Sequence, residues 1–442
     1  MFLMRKIAIV GSGQAGLQLA FGLLQHGYTV TLYSDRTHEE VLNGRVPATA
    51  FIFDRGLSYE RELGLNFWDD EVKWGEGIHL DFCLSPGNKL FQMTGRWRRP
   101  GQAIDQRVKY WRWMHELEQR GGNLVIRPIA ASDLDALAAE KDLLVVAAGK
   151  SDVSALFERD PERSRYSQPQ RKLALITVTG LKPWTSIPFH PVKFTLFPED
   201  GEVFWVPFHH KSSQSTYSIL FECKAGKGLD RFDAASTGAE MMAVARELIA
   251  KWAPWETEHF RDAALADPLA WAKGSVNPVV RKPVARLPSG RLAFGLGDTV
   301  ILNDPIAGQG SNCASKAVHL YTQRILEHGR RPFDADWMQS VFDEHWEKDG
   351  RWITAFSNLF LEPIPPAAKE VLLAGTRNPE IAAEFFDDFN NPQNFWPRIE
   401  DLDAARRYVA EKTGAPWLKT AAVARAAIAG GQMKRKLASL TG

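Results

Sequence analysis

The stretch from Lys6 to Arg36, KIAIVGSGQAGLQLAFGLLQHGYTVTLYSDR, restricts the fold more than any other part of the chain. Ile7, Ala8, Ile9 and Val10 read as a short buried strand. Gly11, Gly13 and Gly16 then supply G-x-G-x-x-G at a strand-to-helix turn, with Gln14 and Ala15 inside the motif. Leu17, Leu19, Phe21, Leu23 and Leu24 continue as an apolar helix that Gly27 ends, and Tyr28 to Tyr33 read as a second strand. This strand–turn–helix–strand context is what the motif needs to hold a dinucleotide. Glycines let backbone amides approach a pyrophosphate placed at the positive end of the helix. An acidic residue usually closes the second strand and holds the ribose. Here Ser34 stands at that place, Asp35 follows one step later and Arg36 after it, so Asp35 is the better candidate.

The chain has 442 residues, enough for two cooperating domains and a helical tail. Apolar residues at 45% and charged residues at 24% give a soluble globular profile. Lys and Arg total 54 against 53 Asp and Glu, a net charge of +1 that offers no broad footprint for nucleic acid. Cys83, Cys223 and Cys313 are odd in number and far apart, which argues against disulfides or a zinc site and suits a reducing cytoplasm. No metal site is expected. The opening MFLMRKIAIVGSG has a short apolar run, lacks a cleavage site and passes straight into the glycine motif. No run reaches the roughly 18 apolar residues of a membrane span. A soluble, cytoplasmic protein is the expectation.

A second glycine-rich stretch, GLGDTVILNDPIAGQGSNCASKA, lies at residues 295–317. GRLAFGLGD reads as a strand reaching Gly297 and Asp298, and GQGSNCASKAVHLYTQRILEHG as a helix. An Asp at a strand end suits a ribitol hydroxyl or a phosphate. A helix start at Gly308, Gln309, Gly310, Ser311 and Asn312 aims amides at negative charge. Enzymes that use NAD alone need no such second site, whereas reduced flavin carries negative charge on one ring edge, so FAD is the better reading. Cys313, beside that helix start, is expected to be a small packing residue. Of fifteen tryptophans, Trp68, Trp74, Trp97, Trp111 and Trp113 crowd one segment without a period, and supply core.

These motifs, with Arg45, Asp105-Gln106-Arg107, LLVVAAGK ending at Lys150, and the downstream ITAFSNLFLEPIPPAAKEVLLAGTRNPEIAAEFFDDFNNPQNFW, resemble the oxygenase component of two-component styrene and indole monooxygenases. The resemblance runs in consistent order over residues 5–412. It implies an α/β, aromatic-hydroxylase-like flavoprotein fold, in which a Rossmann-type FAD domain is interleaved with a β-sheet substrate domain and followed by a helical C-terminal region. The FAD domain is expected over 1–170 and 275–330, and a β-rich substrate domain over 171–274 with parts of 46–105. Helices are expected over 331–415, and a basic extension over 416–442 with Lys419, Arg425, Lys434, Arg435 and Lys436, read as a surface helix. The resemblance also implies reduced FAD delivered by a transient NAD(P)H:flavin reductase, with O2 and a small apolar aromatic as the other reactants. A C4a-peroxyflavin then hands one oxygen to an alkene or indole ring, giving an epoxide. A homodimer remains open.

Carried over by position, Arg45 and Arg107 contact the cofactor's phosphate or ring side and Asp298 its ribitol–phosphate region. Pro305 and residues 308–312 face the isoalloxazine. Candidate catalytic positions are Ala48, Thr49, Pro305, Gly308, Gln309 and Gly310. Phe51, Trp74, Phe194 and Phe204 join Ala48 and Pro305 as candidate pocket lining. The chain departs from the family where Val46-Pro47-Ala48-Thr49 replaces an asparagine-containing segment and where EVKWGEGIHLDF replaces an aromatic and histidine patch. The substrate therefore stays open, and His79 alone reads as a structural histidine. Ala147-Ala148-Gly149-Lys150 lacks the Asp-Gly of self-contained flavin hydroxylases, and no second G-x-G-x-x-G exists. Trp111-Arg112-Trp113-Met114 lacks the Ile-Pro of flavin halogenases. A flavin-less chaperone-like relative of the same fold would not need Gly297-Asp298.

Overall fold

The computed structural model describes residues 5–149, 152–213 and 215–441, with side chains through residue 432. Lys150 and the side chains of Lys434, Arg435 and Lys436 lie outside the described residues. The chain divides into two compact units. The first comprises Met1–Glu71, Ile104–Gln170 and Val276–Asn358, the second Val72–Ala103, Arg171–Ser275 and Leu359–Gly442.

The first unit is built on a six-stranded sheet in the order Val284–Arg286, Leu292–Gly295, Leu143–Val146, Lys6–Val10, Thr29–Ser34, Asn123–Ile126. All pairings are parallel except that of the edge strand Val284–Arg286 with Leu292–Gly295. Parallel strands buried on both faces read as continuous apolar runs, and Ile7, Ala8, Ile9, Leu143 and Val145 are accordingly almost fully enclosed. The first strand hands over to the helix Gln14–Leu24 as the glycine spacing requires. Gly11 has φ +114°, and a Cβ there would lie 2.4 Å from the Ala147 carbonyl oxygen. A Cβ on Gly16 would lie 1.8 Å from the Gly11 carbonyl oxygen, so only glycine lets the helix sit this close to the turn.

The second unit carries an antiparallel sheet in the order Ala264–Leu265, Lys172–Thr179, Ser215–Cys223, Gly201–His209, Pro191–Phe197, Gly75–Ser85, Asn88–Ala103. Gly75–Ser85 pairs in parallel with Pro191–Phe197. Side chains alternate across this sheet. Ile176, Phe197, Val203, Trp205, Ile219 and Phe221 point to one face and pack with Met241, Leu248 and Trp252 of the helix Gly238–Trp252. Phe194 and Phe204, paired across neighbouring strands, stack on the other face with ring centroids 4.4 Å apart.

Helices dominate from Ala335 onward, as expected. The last one, Trp417–Thr441, exposes Leu418 and Val423 as a surface helix does, yet docks one side. Ala421 and Ala424 are buried, and Arg406 lies 4.3 Å over the Trp417 ring, so small side chains dock its first turns on the preceding helices. Among the described residues no helix is long and apolar enough to cross a membrane.

Trp205 is fully enclosed, edge-on to Trp184 and Phe260, and its indole N–H has no hydrogen-bond partner among the described residues. Trp205→Ala should therefore lower the unfolding free energy by about 3–5 kcal/mol. Trp205→Phe keeps an aromatic ring and forfeits no hydrogen bond, so it should cost clearly less. Urea unfolding of both variants measures the difference.

Candidate functional site

Within the first unit the two glycine-rich stretches meet. Gly297 has φ +62°, and a Cβ on it would lie 2.9 Å from Cβ of Ala15 in the N-terminal motif. Gly149 sits directly against Asp298, where a Cβ would come within 2.3 Å of the aspartate's own Cβ. The helix Gly310–His328 packs on Gln14–Leu24, and Ser315 Oγ donates to Gln18 Oε1 at 2.9 Å. Gln14 ties the two helices to a buried pair: its Nε2 donates to Ser315 Oγ at 3.2 Å and to Glu60 Oε1 at 2.8 Å. Lys109 Nζ completes that pair on Glu60 at 2.6 Å.

Both helices begin without a side-chain cap, at Gly13 and at Gln309. The Gln14 amide of the first helix meets Tyr110, while the first-turn amides of both helices sit at the positive end of the helix dipole. A Cβ on Gly13 would meet nothing within 4 Å, and neither would one on Gly310. Asn303 Nδ2 and Thr299 Oγ1, flanking the intervening turn, are buried without a hydrogen-bond partner among the described residues. Free space at Gly13 and Gly310 at two helix starts, with orphaned donors nearby, fits an anionic ligand with polar groups along its length.

The individual candidates divide by exposure and engagement. Ser34 is buried, and its hydroxyl lies 2.8 Å from Ser12 Oγ while donating to the Arg36 carbonyl, so it braces the turn. Asp35 and Arg36 are exposed and form a loose pair at 3.5 Å. Arg45 and Ala48 are exposed, Thr49 half-buried, and Ala50 adopts φ +48°, a left-handed conformation that costs a non-glycine residue roughly 1 kcal/mol. Arg107 is fully enclosed and grips Asp105, its helix cap, with Nη2 at 2.7 Å and Nε at 3.0 Å. Pro305 opens a tight turn closed by Gly308 at φ +63°, while Gln309 is buried with its Nε2 on the Ala307 carbonyl. Half-buried Ser311 lies in the first helical turn with Gly310.

Asn312 acts as a staple. Its Nδ2 donates to the carbonyls of Phe51 and Gly308, each at 2.8 Å, and its Oδ1 accepts from the Phe53 amide at 2.9 Å. The carboxamide therefore holds the segment after Ala50 against the helix start. What Asn312 offers a ligand is its backbone.

Beneath this helix lies a buried polar cluster that sequence reasoning missed. Arg55 binds Asp349 through two bonds of 2.6 and 3.0 Å, inside the π-helical turn Trp346–Gly350, and Lys316 Nζ lies 4.0 Å away. Burial pushes the Lys316 amine down to about 8 and His345 down to about 4. Burial likewise pushes the Cys313 thiol up to about 12, so the cysteine packs and is no nucleophile. Arg55, Lys316 and Asp349 come from three segments far apart in sequence, so no local spacing announces their meeting. The pocket-lining candidates Phe194 and Phe204 belong to the second unit with half-buried Trp74, while Phe51 is buried in the first. His79 is buried and engaged, Nδ1 with Thr94 Oγ1 at 2.7 Å and Nε2 with Asp81 at 3.3 Å, as a structural histidine is. Among the described residues no group of three or more His, Cys, Asp or Glu is placed to hold a metal ion.

A doubly glycine-lined, parallel-sheet unit of this kind defines a flavoprotein-type fold. The flavin-dependent halogenase CmlS shares it with a TM-score of 0.62 at 17% identity, over 92% of this chain and 79% of that one. Sequence is more specific. The family model "Styrene monooxygenase A putative substrate binding domain" matches residues 149–259. Styrene monooxygenase StyA from a Pseudomonas species and that from Pseudomonas fluorescens are each 31% identical over 417 residues, covering 89% of this chain and 95% of theirs. The chain belongs to the styrene monooxygenase StyA family and is a flavoprotein monooxygenase.

Two outcomes test this description of the site. Asn312→Ala removes three hydrogen bonds, two of them buried, and should cost about 2–4 kcal/mol, with the Phe53 amide losing protection from hydrogen exchange. Lys316 has its folded value near 8 against an ordinary 10.5. Between those two pH values the unfolded chain holds a proton that the folded one has released, so stability should rise with pH there. Lys316→Met should abolish that rise, as denaturant titrations at pH 7.5, about 9 and about 10.5 would show.

Proposed function

We propose that the protein is the oxygenase half of a two-component system. It takes FAD already reduced by a separate NAD(P)H:flavin reductase and transfers one atom of O2 to an aromatic alkene or indole-type ring, giving an epoxide and water. The observation that carries this reading is the meeting of the Gly11–Gly16 turn with the Gly297–Asn312 stretch inside one unit, with open space at both helix ends. Bound reduced FAD supplies the electrons and activates O2; the chain's own residues bind, orient and shield.

In this reading the amides following Gly13 hold the pyrophosphate, and Gln14 and Ala15 form the first helical turn beneath it. Asp35 and Arg36 border the adenosine end and Arg45 supplies positive charge from the surface. Asp298, steadied against Gly149, takes the ribitol–phosphate region. Pro305, Gly308, Gln309 and Gly310 shape the ring side, and the amides of Gly310 to Asn312 stabilise negative charge there. Ala48 and Thr49 stand where the family carries its asparagine-containing segment. Ala48 has no group to donate, so oxygen activation at that edge falls to backbone amides. The strained Ala50 and the Asn312 staple fix the course of this segment.

Gly13 provides the clean test of the cofactor site. It has φ −86° and empty space around its Cβ direction, so Gly13→Val should leave the fold intact. It should weaken FAD by at least about tenfold, about 1.4 kcal/mol, and shrink the FAD-induced rise in Tm. For the reaction, the purified protein would be supplied with chemically reduced FAD, oxygen and, separately, styrene, indole and a thioether. An oxygenated product from at least one is expected. Hydrogen peroxide alone from all three would overturn the epoxidation reading while leaving FAD binding to stand.

A further inference from the structure

The helix Gln106–Gln119 brings a tyrosine to the start of the helix Gln14–Leu24. Tyr110 is half-buried and stands one turn after Gln106, whose Nε2 donates to the tyrosine hydroxyl at 2.7 Å. The Gln14 amide meets the same oxygen from the neighbouring helix start. A hydroxyl has two acceptor positions and one proton to donate. Both acceptor positions are therefore taken, and no hydrogen bond among the described residues uses the proton.

The surroundings place this donor at the meeting of the two glycine-rich stretches. Gln14 belongs to the first stretch, and the charge of Asp298, in the second, acts on the hydroxyl together with that of Glu60. Glu60 Oε1 already accepts from Lys109 Nζ and from Gln14 Nε2. Burial is the main cause that holds the Tyr110 hydroxyl well above the ordinary tyrosine value. The two carboxylates add to it, and the Gln14 and Gln106 donors only oppose it. The group therefore remains a donor throughout the neutral range.

Packing does not account for the oxygen. The ring lies 6.2 Å from that of Trp113, a contact phenylalanine would make equally well. The hydroxyl covers the first amide of a helix and, in exchange, turns one proton outward. A donor that itself accepts from two N–H groups is polarised by them and donates more strongly. It also stands at the positive end of the helix dipole, where an anionic acceptor is favoured.

We propose that Tyr110 is a cofactor-binding residue, whose hydroxyl carries the polarity of the Gln14 amide onward and donates to a phosphate oxygen of the FAD pyrophosphate. This inference rests on the FAD reading above and adds a residue that lies outside both glycine-rich stretches. Phenylalanine at this position would leave the Gln14 amide one hydroxyl short of the phosphate.

Fluorescence titration with oxidised FAD, on the unaltered protein and on Tyr110→Phe, tests it. The variant should bind FAD at least about fivefold more weakly, as loss of a hydrogen bond to a charged group requires. Competition by ADP, which carries both phosphates without the flavin, should weaken by a similar factor. Melting of the FAD-free variant separates contact from support: its Tm should stay within about 2 °C of the unaltered protein, less than a loss of 1 kcal/mol would shift it. FAD binding by Tyr110→Phe within twofold of the unaltered protein would overturn the inference and leave the flavin reading standing. Weaker FAD binding accompanied by a clear fall in the FAD-free Tm would also overturn it, in favour of a structural hydroxyl. No FAD binding by the unaltered protein would overturn the flavin reading itself, and this inference with it.

Discussion

The first unit depends on how closely two distant backbones approach. The N-terminal turn reaches the strand end at Ala147 because residue 11 has no side chain, and its helix closes on the turn because residue 16 has none. The later stretch then docks at Gly297 against Ala15, and Asp298 settles on Gly149. A methyl group at any of these contacts would push apart elements that otherwise pack at interior density, where overfilling costs typically 1–3 kcal/mol per site. Two helix N-termini separated by nearly three hundred residues consequently open in one unit, each with free space where a Cβ on its glycine would stand. That is a geometry fit for an elongated anion, and it follows from missing atoms.

Those missing atoms are also why this part was legible in the sequence. Glycine spacing, the apolar run Ile7–Val10 and the Asp-Pro turn at Asp304-Pro305 are local signals, and the strand Lys6–Val10, helix Gln14–Leu24 and helix Gly310–His328 fall where they indicate. The alternating strands between Lys172 and Cys223 were equally plain. The family resemblance added the pairing of the two glycine stretches, which spacing alone does not show.

What stayed hidden is made of side chains that meet across long stretches of sequence. Nothing near Asn312 indicates that its carboxamide staples Phe51 and Phe53, or that Gln14 reaches Glu60 and through it Lys109. An enclosed charge such as Asp81 or Asp349 looks like any surface aspartate until its partners converge. Buried polar groups must find partners, yet the rule does not say which ones. The docked side of the last helix stayed hidden for a related reason. Alanines carry too weak an apolar signal to mark the docked face of Trp417–Thr441, although Ala424 is fully enclosed.

The two arginines carried over from the family illustrate how environment reassigns a residue type. Both sit at family positions, but Arg107 is enclosed and doubly bonded to Asp105, whereas Arg45 stands exposed. Drawing the Arg107 guanidinium toward a phosphate would leave a buried carboxylate uncompensated, a loss of roughly 3–5 kcal/mol that a solvated ion pair could not return. Arg107 therefore works best as a fixed brace: it caps its helix through Asp105 and reaches the Gly44 carbonyl at 3.3 Å, next to Arg45. In the proposed reading, positive charge near an anion comes from exposed Arg45 and from backbone amides at two helix starts. A site arranged this way needs no excess of basic side chains. The near balance of 54 basic and 53 acidic residues is thus compatible with binding a dinucleotide pyrophosphate.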